Sequence, residues 1–155
     1  MESEFLAIKS LLDSSKVEYE LSEHEPVFTS EEAARIRGVD LKTGVKALVF
    51  KADEEFILVL VPGDSRADMK KLREAAGKKD MRLATREEVL EVTGCEIGSV
   101  HPFGNLMGLR TLMERKILHN DLVNFNVGLH TMSVRMMPHD LREIVSPVVV
   151  DIVKD

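Results

Sequence analysis

Thr43-Gly44-Val45-Lys46-Ala47-Leu48-Val49-Phe50-Lys51 is the stretch whose reading decides the fold. Val45, Ala47, Leu48, Val49 and Phe50 are apolar, with β-branched and aromatic members, the composition of a strand with little solvent contact. Phe56-Ile57-Leu58-Val59-Leu60-Val61 repeats that composition, and Ala52-Asp53-Glu54-Glu55 between them is short and polar, so the two runs read as a hairpin. Pro62-Gly63-Asp64 breaks the second strand. Lys46 does not fit its surroundings. A desolvated ammonium is costly unless it meets an anion or a ligand. The residues alone leave two readings. Lys46 snorkels to a strand end or pairs with a carboxylate; or it faces a pocket and waits for a phosphate or carbonyl oxygen.

Outward from this hairpin, helix and strand signals alternate. Phe5, Ile8, Leu11 and Leu12 form one stripe and predict a helix over 3–14 started by Ser3. Val17-Glu18-Tyr19-Glu20-Leu21 alternates like a half-buried strand, and His24-Glu25-Pro26-Val27-Phe28 reads as a loop. Thr29 and Glu32 predict a capping box on a helix closed by Gly38. Beyond the hairpin, Ser65 is expected to cap a helix carrying Met69, Leu72 and Ala76 and ending at Gly77. Met81 to Ala84 reads as a short strand, and Thr85 with Glu88 opens a helix that ends at Gly94. Gly94 to Gly108 is an irregular loop, a kind of segment that is usually functional or mobile. Strands are expected near 109–113, 121–127 and 131–136, then a helix from Pro138 through Ile144 and a last strand over Val148 to Ile152. No repeat, linker or low-complexity segment interrupts this order. The expectation is one domain over 1–155, with a mixed sheet of α+β or α/β type.

Composition narrows the function. The 155 residues are 44% hydrophobic and 31% charged, which suits a globular domain with a real core. No apolar run approaches the roughly 20 residues that span a bilayer, so no membrane association is expected. The first residues, MESEFLAIKSLLDSS, begin acidic and lack a long apolar core, unlike a secretory signal. Cys95 is the only cysteine, which excludes an internal disulfide and fits a reducing, cytoplasmic setting. A net charge of -6 argues against a strong non-specific nucleic-acid binder, while leaving room for a local basic face. Trp is absent and Tyr19 is the only tyrosine, so Phe28, Phe103 and Phe125 are the candidate stacking platforms for bases.

Several chemistries lack their motifs. No phosphate-binding G-x-x-x-x-G-K-[ST] loop is present; Gly38 to Lys46 has the wrong spacing and runs into a strand. No G-x-G-x-x-G follows a strand, and no G-x-S-x-G elbow appears. The five histidines never fall at i, i+4, and one cysteine cannot build a zinc knuckle, so neither a metal nor a cofactor is expected. Cys95 reads either as a small buried residue at a helix end or as a nucleophile with His101. Besides Lys46, Gly98-Ser99-Val100-His101-Pro102-Phe103-Gly104 stands out. Its glycines let backbone approach a ligand, Pro102 stiffens the turn, and Phe103 is placed to floor a pocket. An ordinary surface turn has the same composition.

The order of these features resembles the YbaK family, free-standing aminoacyl-tRNA deacylases related to the editing domain inserted in bacterial prolyl-tRNA synthetase. The resemblance runs from about residue 22 to the C-terminus. It is carried by His24, Thr29, Glu31-Glu32-Ala33-Ala34 and Gly38; by Gly44, Lys46, Ala47, Leu48 and Lys51 in the pattern G-x-K-A-L-x-x-K; and by Val59 to Arg66. It continues in the Gly98-x-x-x-Pro102 loop with Phe103-Gly104, the hairpin Leu122 to Met136, and Pro138 to Leu141. Each motif alone is weak, but Lys46 and the 98–102 loop in this order are specific together.

The resemblance implies a six- or seven-stranded mixed sheet curled into a partial barrel with helices outside. It implies hydrolysis of the ester joining a wrong amino acid to the 3′ adenosine of a tRNA. Carried over, Lys46 holds the tRNA terminus and the Gly98 backbone positions the scissile ester and the water. The partner is then the misacylated acceptor end of tRNA, with an aminoacyl-tRNA synthetase as a further expected partner. By position, Val27, Phe28, Thr29, Ile36, Val61, Pro102, Phe103, His130 and Ser133 are the expected substrate-binding residues. Lys42, Lys51, Arg66, Lys70, Lys71, Arg73, Arg110, Arg115 and Lys116 are candidates for the basic face. Alanine, cysteine, serine and threonine all remain open as cargo, because an apolar pocket separates neighbours differing by a methylene only weakly. Two other classes stay in view: a non-catalytic module that binds aminoacyl-tRNA or docks on a synthetase, and a small-molecule hydrolase or thiol enzyme built around Cys95.

Overall fold

The computed structural model describes residues 2–155; Met1, the first residue of the expected domain, lies outside them. Two apolar runs with a polar turn form the central hairpin: β2 (Val45–Ala52) and β3 (Glu55–Pro62) pair antiparallel with Lys46 opposite Val61. Asp53 in the turn takes φ +51 and receives the Lys79 and Asp80 backbone N–H groups on its carboxylate. In β3, residues 57–61 are all fully buried because both faces are covered.

Around the hairpin, β4 (Met81–Leu83) pairs antiparallel with residues 50–52 of β2, β5 (Arg110–Glu114) lies parallel to β3, and β8 (Val148–Val150) lies parallel to β5. This five-stranded mixed sheet has the order β4-β2-β3-β5-β8. A second sheet is antiparallel, with β1 (Tyr19–Glu23) and β6 (Val123–Asn126) on either side of β7 (Met132–Met136).

The expected partial barrel is not formed, since neither sheet closes. The sheets meet at a single parallel bridge, Gly44 to Asn124. On the β2 edge beyond it, β4 covers only residues 50–52, with Ala84 N–H donating to Val49 O at 2.9 Å. Backbone alternation therefore places the N–H and C=O of Ala47 on the same open edge. The gap between the sheets is where the site lies.

Helices cover the sheets. α1 (Glu2–Ser15) buries Ile8 and Leu12 in the larger core, which also holds Leu58, Leu60, Phe103, Met113 and Phe125. α3 (Met69–Ala76) packs Leu72 and Ala76 on the opposite face of the central sheet, against Phe50, Ile57, Val59 and Val61. Its cap is Asp68 and not the expected Ser65: the Asp68 carboxylate accepts from the N–H groups of Lys70 and Lys71, while Ser65 is held in the turn after β3. Ala67 meanwhile bridges Val153 and delays the helix start.

α2 (Ser30–Arg37) is capped by Thr29, which accepts from Glu32 N–H, but the Glu32 carboxylate reaches Phe28 N–H and so forms a variant of the expected box. The Thr85–Glu88 box on α4 (Arg86–Thr93) is complete. A one-turn helix, α5 (Gly104–Met107), interrupts the segment read as an irregular loop, and α6 (Pro138–Val145) starts on its proline. No helix among the described residues is long and apolar enough to cross a membrane.

Candidate active site

A cavity of about 320 Å³ opens at the gap between the sheets. The loop before α2 contributes Val27, Phe28 and Thr29, α2 contributes Ala33 and Arg37, and the open β2 edge contributes Val45 to Val49. Gly98 and Val100 come from the long loop, and Asn124 and Asn126 from β6. No Asp or Glu is among the described lining residues, although the chain carries a net charge of -6. Two cations, Lys46 and Arg37, are.

Lys46 is half-buried, and its ammonium donates to the carbonyl oxygen of Ser65 at 3.2 Å. No carboxylate among the described residues lies within ion-pair distance of it. The ammonium therefore keeps donors for a ligand.

Gly98 lines the cavity at φ +88, a conformation in which an L side chain is strained. A Cβ there would stand 3.4 Å from Phe28 O and 3.5 Å from the His130 ring, so the rim is tight as well. Its carbonyl accepts from Asn126 Nδ2 at 2.6 Å.

The rim is an aromatic pair. Phe28 is 62% exposed and stacks on His130 with ring centroids 4.4 Å apart. His130 donates from Nδ1 to Val27 O at 2.9 Å, and its Nε2 lies 3.3 Å from the Glu96 carboxylate. His130 thus braces the wall from outside.

Of the other expected residues, Ile36 is on the outer side of α2, Val61 is fully buried in the second core, and Phe103 is fully buried beneath the loop, edge-on to Phe125. None of these lines the cavity, and neither does Pro102. For Val61 the cause is strand alternation: with Ile57 and Val59 it faces α3. Ser133 is buried behind Arg37 and reaches the site through it. Among the basic candidates, Lys71, Arg110 and Arg115 are engaged by Asp151, Glu55 and Asp151, and Lys51 lies over the Phe56 ring.

The sequence reading missed Arg37, Asn124 and Asn126. Arg37, in the last turn of α2, donates from Nη1 to Asn124 Oδ1 and from Nη2 to Asn126 Oδ1, each at 2.7 Å, and from Nε to Ser133 Oγ at 2.8 Å. Burial pulls its pKa from 12.5 down to about 10, so it stays charged at neutral pH. One signal for the asparagines was present: polar residues two apart in the strand Val123-Asn124-Phe125-Asn126 share one face. An arginine near a helix C-terminus, by contrast, looks like ordinary dipole compensation.

Cys95 and His101 do not form a dyad. The thiol is fully buried and burial pushes its pKa up; the His101 ring accepts Phe103 N–H at 3.1 Å and burial lowers its pKa to about 4. Among the described residues, no three His, Cys, Asp or Glu side chains cluster as metal ligands.

The chain matches the family model of the aminoacyl-tRNA editing domain over residues 24–144. It is 33% identical over 118 residues to a proline–tRNA ligase of Thermosipho melanesiensis, covering 76% of this chain but only 20% of the ligase, so it spans about a fifth of that relative. It is 30% identical over 147 residues to the multifunctional Ser/Thr-tRNA deacylase ProXp-y of Escherichia coli K12, covering 92% of this chain and 88% of that protein. A solved structure of a candidate trans-editing enzyme for prolyl tRNA synthetase superposes with a TM-score of 0.87 at 28% identity, covering 98% of both chains. The chain accordingly belongs to the aminoacyl-tRNA editing domain family.

Proposed function

We propose that this chain works in trans, taking the misacylated acceptor end of a tRNA into the cavity between the two sheets. The observation that carries the reading is the cavity itself: largely apolar, with no carboxylate among its described lining residues, and with both Lys46 and Gly98 among them. Lys46 anchors the tRNA terminus through a phosphate or carbonyl oxygen. Gly98 and the open β2 edge supply backbone groups that orient the ester and the attacking water. An aminoacyl ester is already activated, so orientation and backbone electrostatics can lower the barrier without a covalent nucleophile. Water attacks the ester carbonyl, the C–O bond to the ribose breaks, and the released hydroxyl takes up a proton. In this reading the tRNA's own terminal hydroxyl assists the water.

The wall of Val27, Ala33, Val45 and Val49 favours a small side chain, and Phe28 with His130 bounds its entrance. Similarity to a Ser/Thr-tRNA deacylase makes seryl- and threonyl-tRNA the first substrates to test, with alanyl- and cysteinyl-tRNA beside them. A cytoplasmic setting and docking on a synthetase belong to the same reading, since similar domains lie within proline–tRNA ligases.

The test is release of free amino acid from these four misacylated tRNAs. Turnover of at least one is expected, and Lys46→Ala should lower it about 100-fold or more while the unfolding midpoint holds, a loss of roughly 2.7 kcal/mol in transition-state stabilisation. Salt-dependent tRNA binding without turnover on any of the four would replace the enzyme by a binding module.

A further inference from the structure

We infer that Arg37 is a positioning residue of the deacylation: by orienting two side-chain amides it holds the Gly98 loop and the approach to the Lys46 strand in place. The inference rests on the reading above in taking Gly98 and Lys46 as the working groups.

Arg37 has no carboxylate partner among the described residues. It spends three donors on neutral acceptors from β6 and β7: Asn124, Asn126 and Ser133. The two ends of a side-chain amide are nearly alike in shape, so hydrogen-bond partners decide which way it points. A guanidinium only donates. Both asparagines therefore turn Oδ1 toward Arg37 and Nδ2 away from it.

The two outward Nδ2 groups reach two different segments, the Gly98 loop and the turn that leads into β2. Asn126 Nδ2 donates to Gly98 O at 2.6 Å, and Asn124 Nδ2 donates to Thr43 Oγ1 at 2.9 Å, three residues before Lys46. If either amide flipped, its N–H groups would oppose the guanidinium and its oxygen would oppose another oxygen. Arg37 thus excludes the wrong amide orientation at both positions together. Its third donor reaches Ser133 Oγ, which also lies 2.6 Å from His24 Nε2, so the same hydroxyl ties Arg37 to the loop before α2. A lysine has one nitrogen and cannot span three acceptors in a plane.

The test uses the full chain with Arg37→Gln, Arg37→Lys, Arg37→Ala and Asn126→Asp. Deacylation is expected to show kcat down roughly tenfold to a hundredfold with KM nearly unchanged in both Arg37→Gln and Arg37→Lys, the scale of a small misplacement of reacting groups. Guanidinium ion should restore part of kcat to Arg37→Ala and none to Lys46→Ala. A KM effect with kcat intact would make Arg37 a direct substrate contact and overturn the inference, as would an unchanged kcat.

Hydrogen exchange gives a readout that needs no activity. In Arg37→Gln, backbone amides of 96–100 and of 43–46 should exchange faster while those of β3 do not. In Asn126→Asp, which keeps the arginine's acceptor but opposes Gly98 O with another oxygen, only the 96–100 segment should speed up. Unchanged exchange in both segments, or faster exchange throughout, would overturn the inference. Absence of turnover in the unsubstituted protein would sink the deacylase reading instead, and the exchange data would still decide Arg37.

Discussion

The body of the central sheet and the seam between the two sheets are held by different forces. In the body, Ile57 to Val61 bury completely on two faces, and non-directional apolar burial holds them. In the seam, Arg37, Asn124, Asn126 and Ser133 are fixed by hydrogen bonds between 2.7 and 2.8 Å. Apolar packing tolerates substitutions of similar volume, whereas a half-satisfied polar network is costly. Stability should therefore follow the body, and turnover should follow the seam.

The comparison is tested first where the body reaches under the site. Phe103 is fully buried against Phe125, with ring centroids 5.6 Å apart. Phe103→Ala is expected to cost about 3–5 kcal/mol in denaturant unfolding. A loss under about 1 kcal/mol would mean that Phe103 is not core.

Next is His101, buried with a pKa lowered to about 4. The unfolded chain binds its proton near pH 6.5 and the folded protein does so only near 4. Between these values the unfolded state carries more protons, so stability falls as pH falls through that window, by up to about 3 kcal/mol. Unfolding midpoints from pH 7 to 4.5 should show this, and His101→Gln should flatten most of the slope above pH 5. An equally steep slope in the variant would assign the effect to carboxylates.

In the seam, Gly98→Ala places a Cβ at positive φ, 3.4 Å from Phe28 O. A strain of roughly 1–2 kcal/mol is expected, and the comparison predicts that it appears in kcat/KM at least as strongly as in stability. A variant that loses stability alone would break the division. Smallest is Thr85→Ala, which removes a capping box that shares no hydrogen bond with the seam: about 1 kcal/mol in stability with turnover unchanged.

Much of the fold was legible because its signals are local. The hairpin β2–β3, the glycine ends of α2, α3 and α4, and the proline start of α6 all follow from periodicity, turn chemistry and capping. Ser65 was misplaced as a cap because Ala67 pairs with Val153, a contact 86 positions away that no local rule contains. The partial barrel failed for the same kind of reason: whether β2 and β6 pair beyond Gly44 and Asn124 depends on what fills the gap between them.

Lys46 announced itself as a charge inside an apolar run. Arg37 did not, since an arginine ending a helix is common and its three partners lie 87 to 96 positions further on. Pattern and propensity, which act within a turn or two of chain, let the sequence by itself determine the buried hairpin and mark Lys46 and the Gly98 loop as unusual; the family came from the order of motifs that the chain shares with it. Only tertiary structure decided that the sheets stay open, that Val61 and Phe103 turn into the core, and that one arginine joins both walls. Those outcomes depend on which distant strands become neighbours, and on hydrogen-bond directions that exist only after they do.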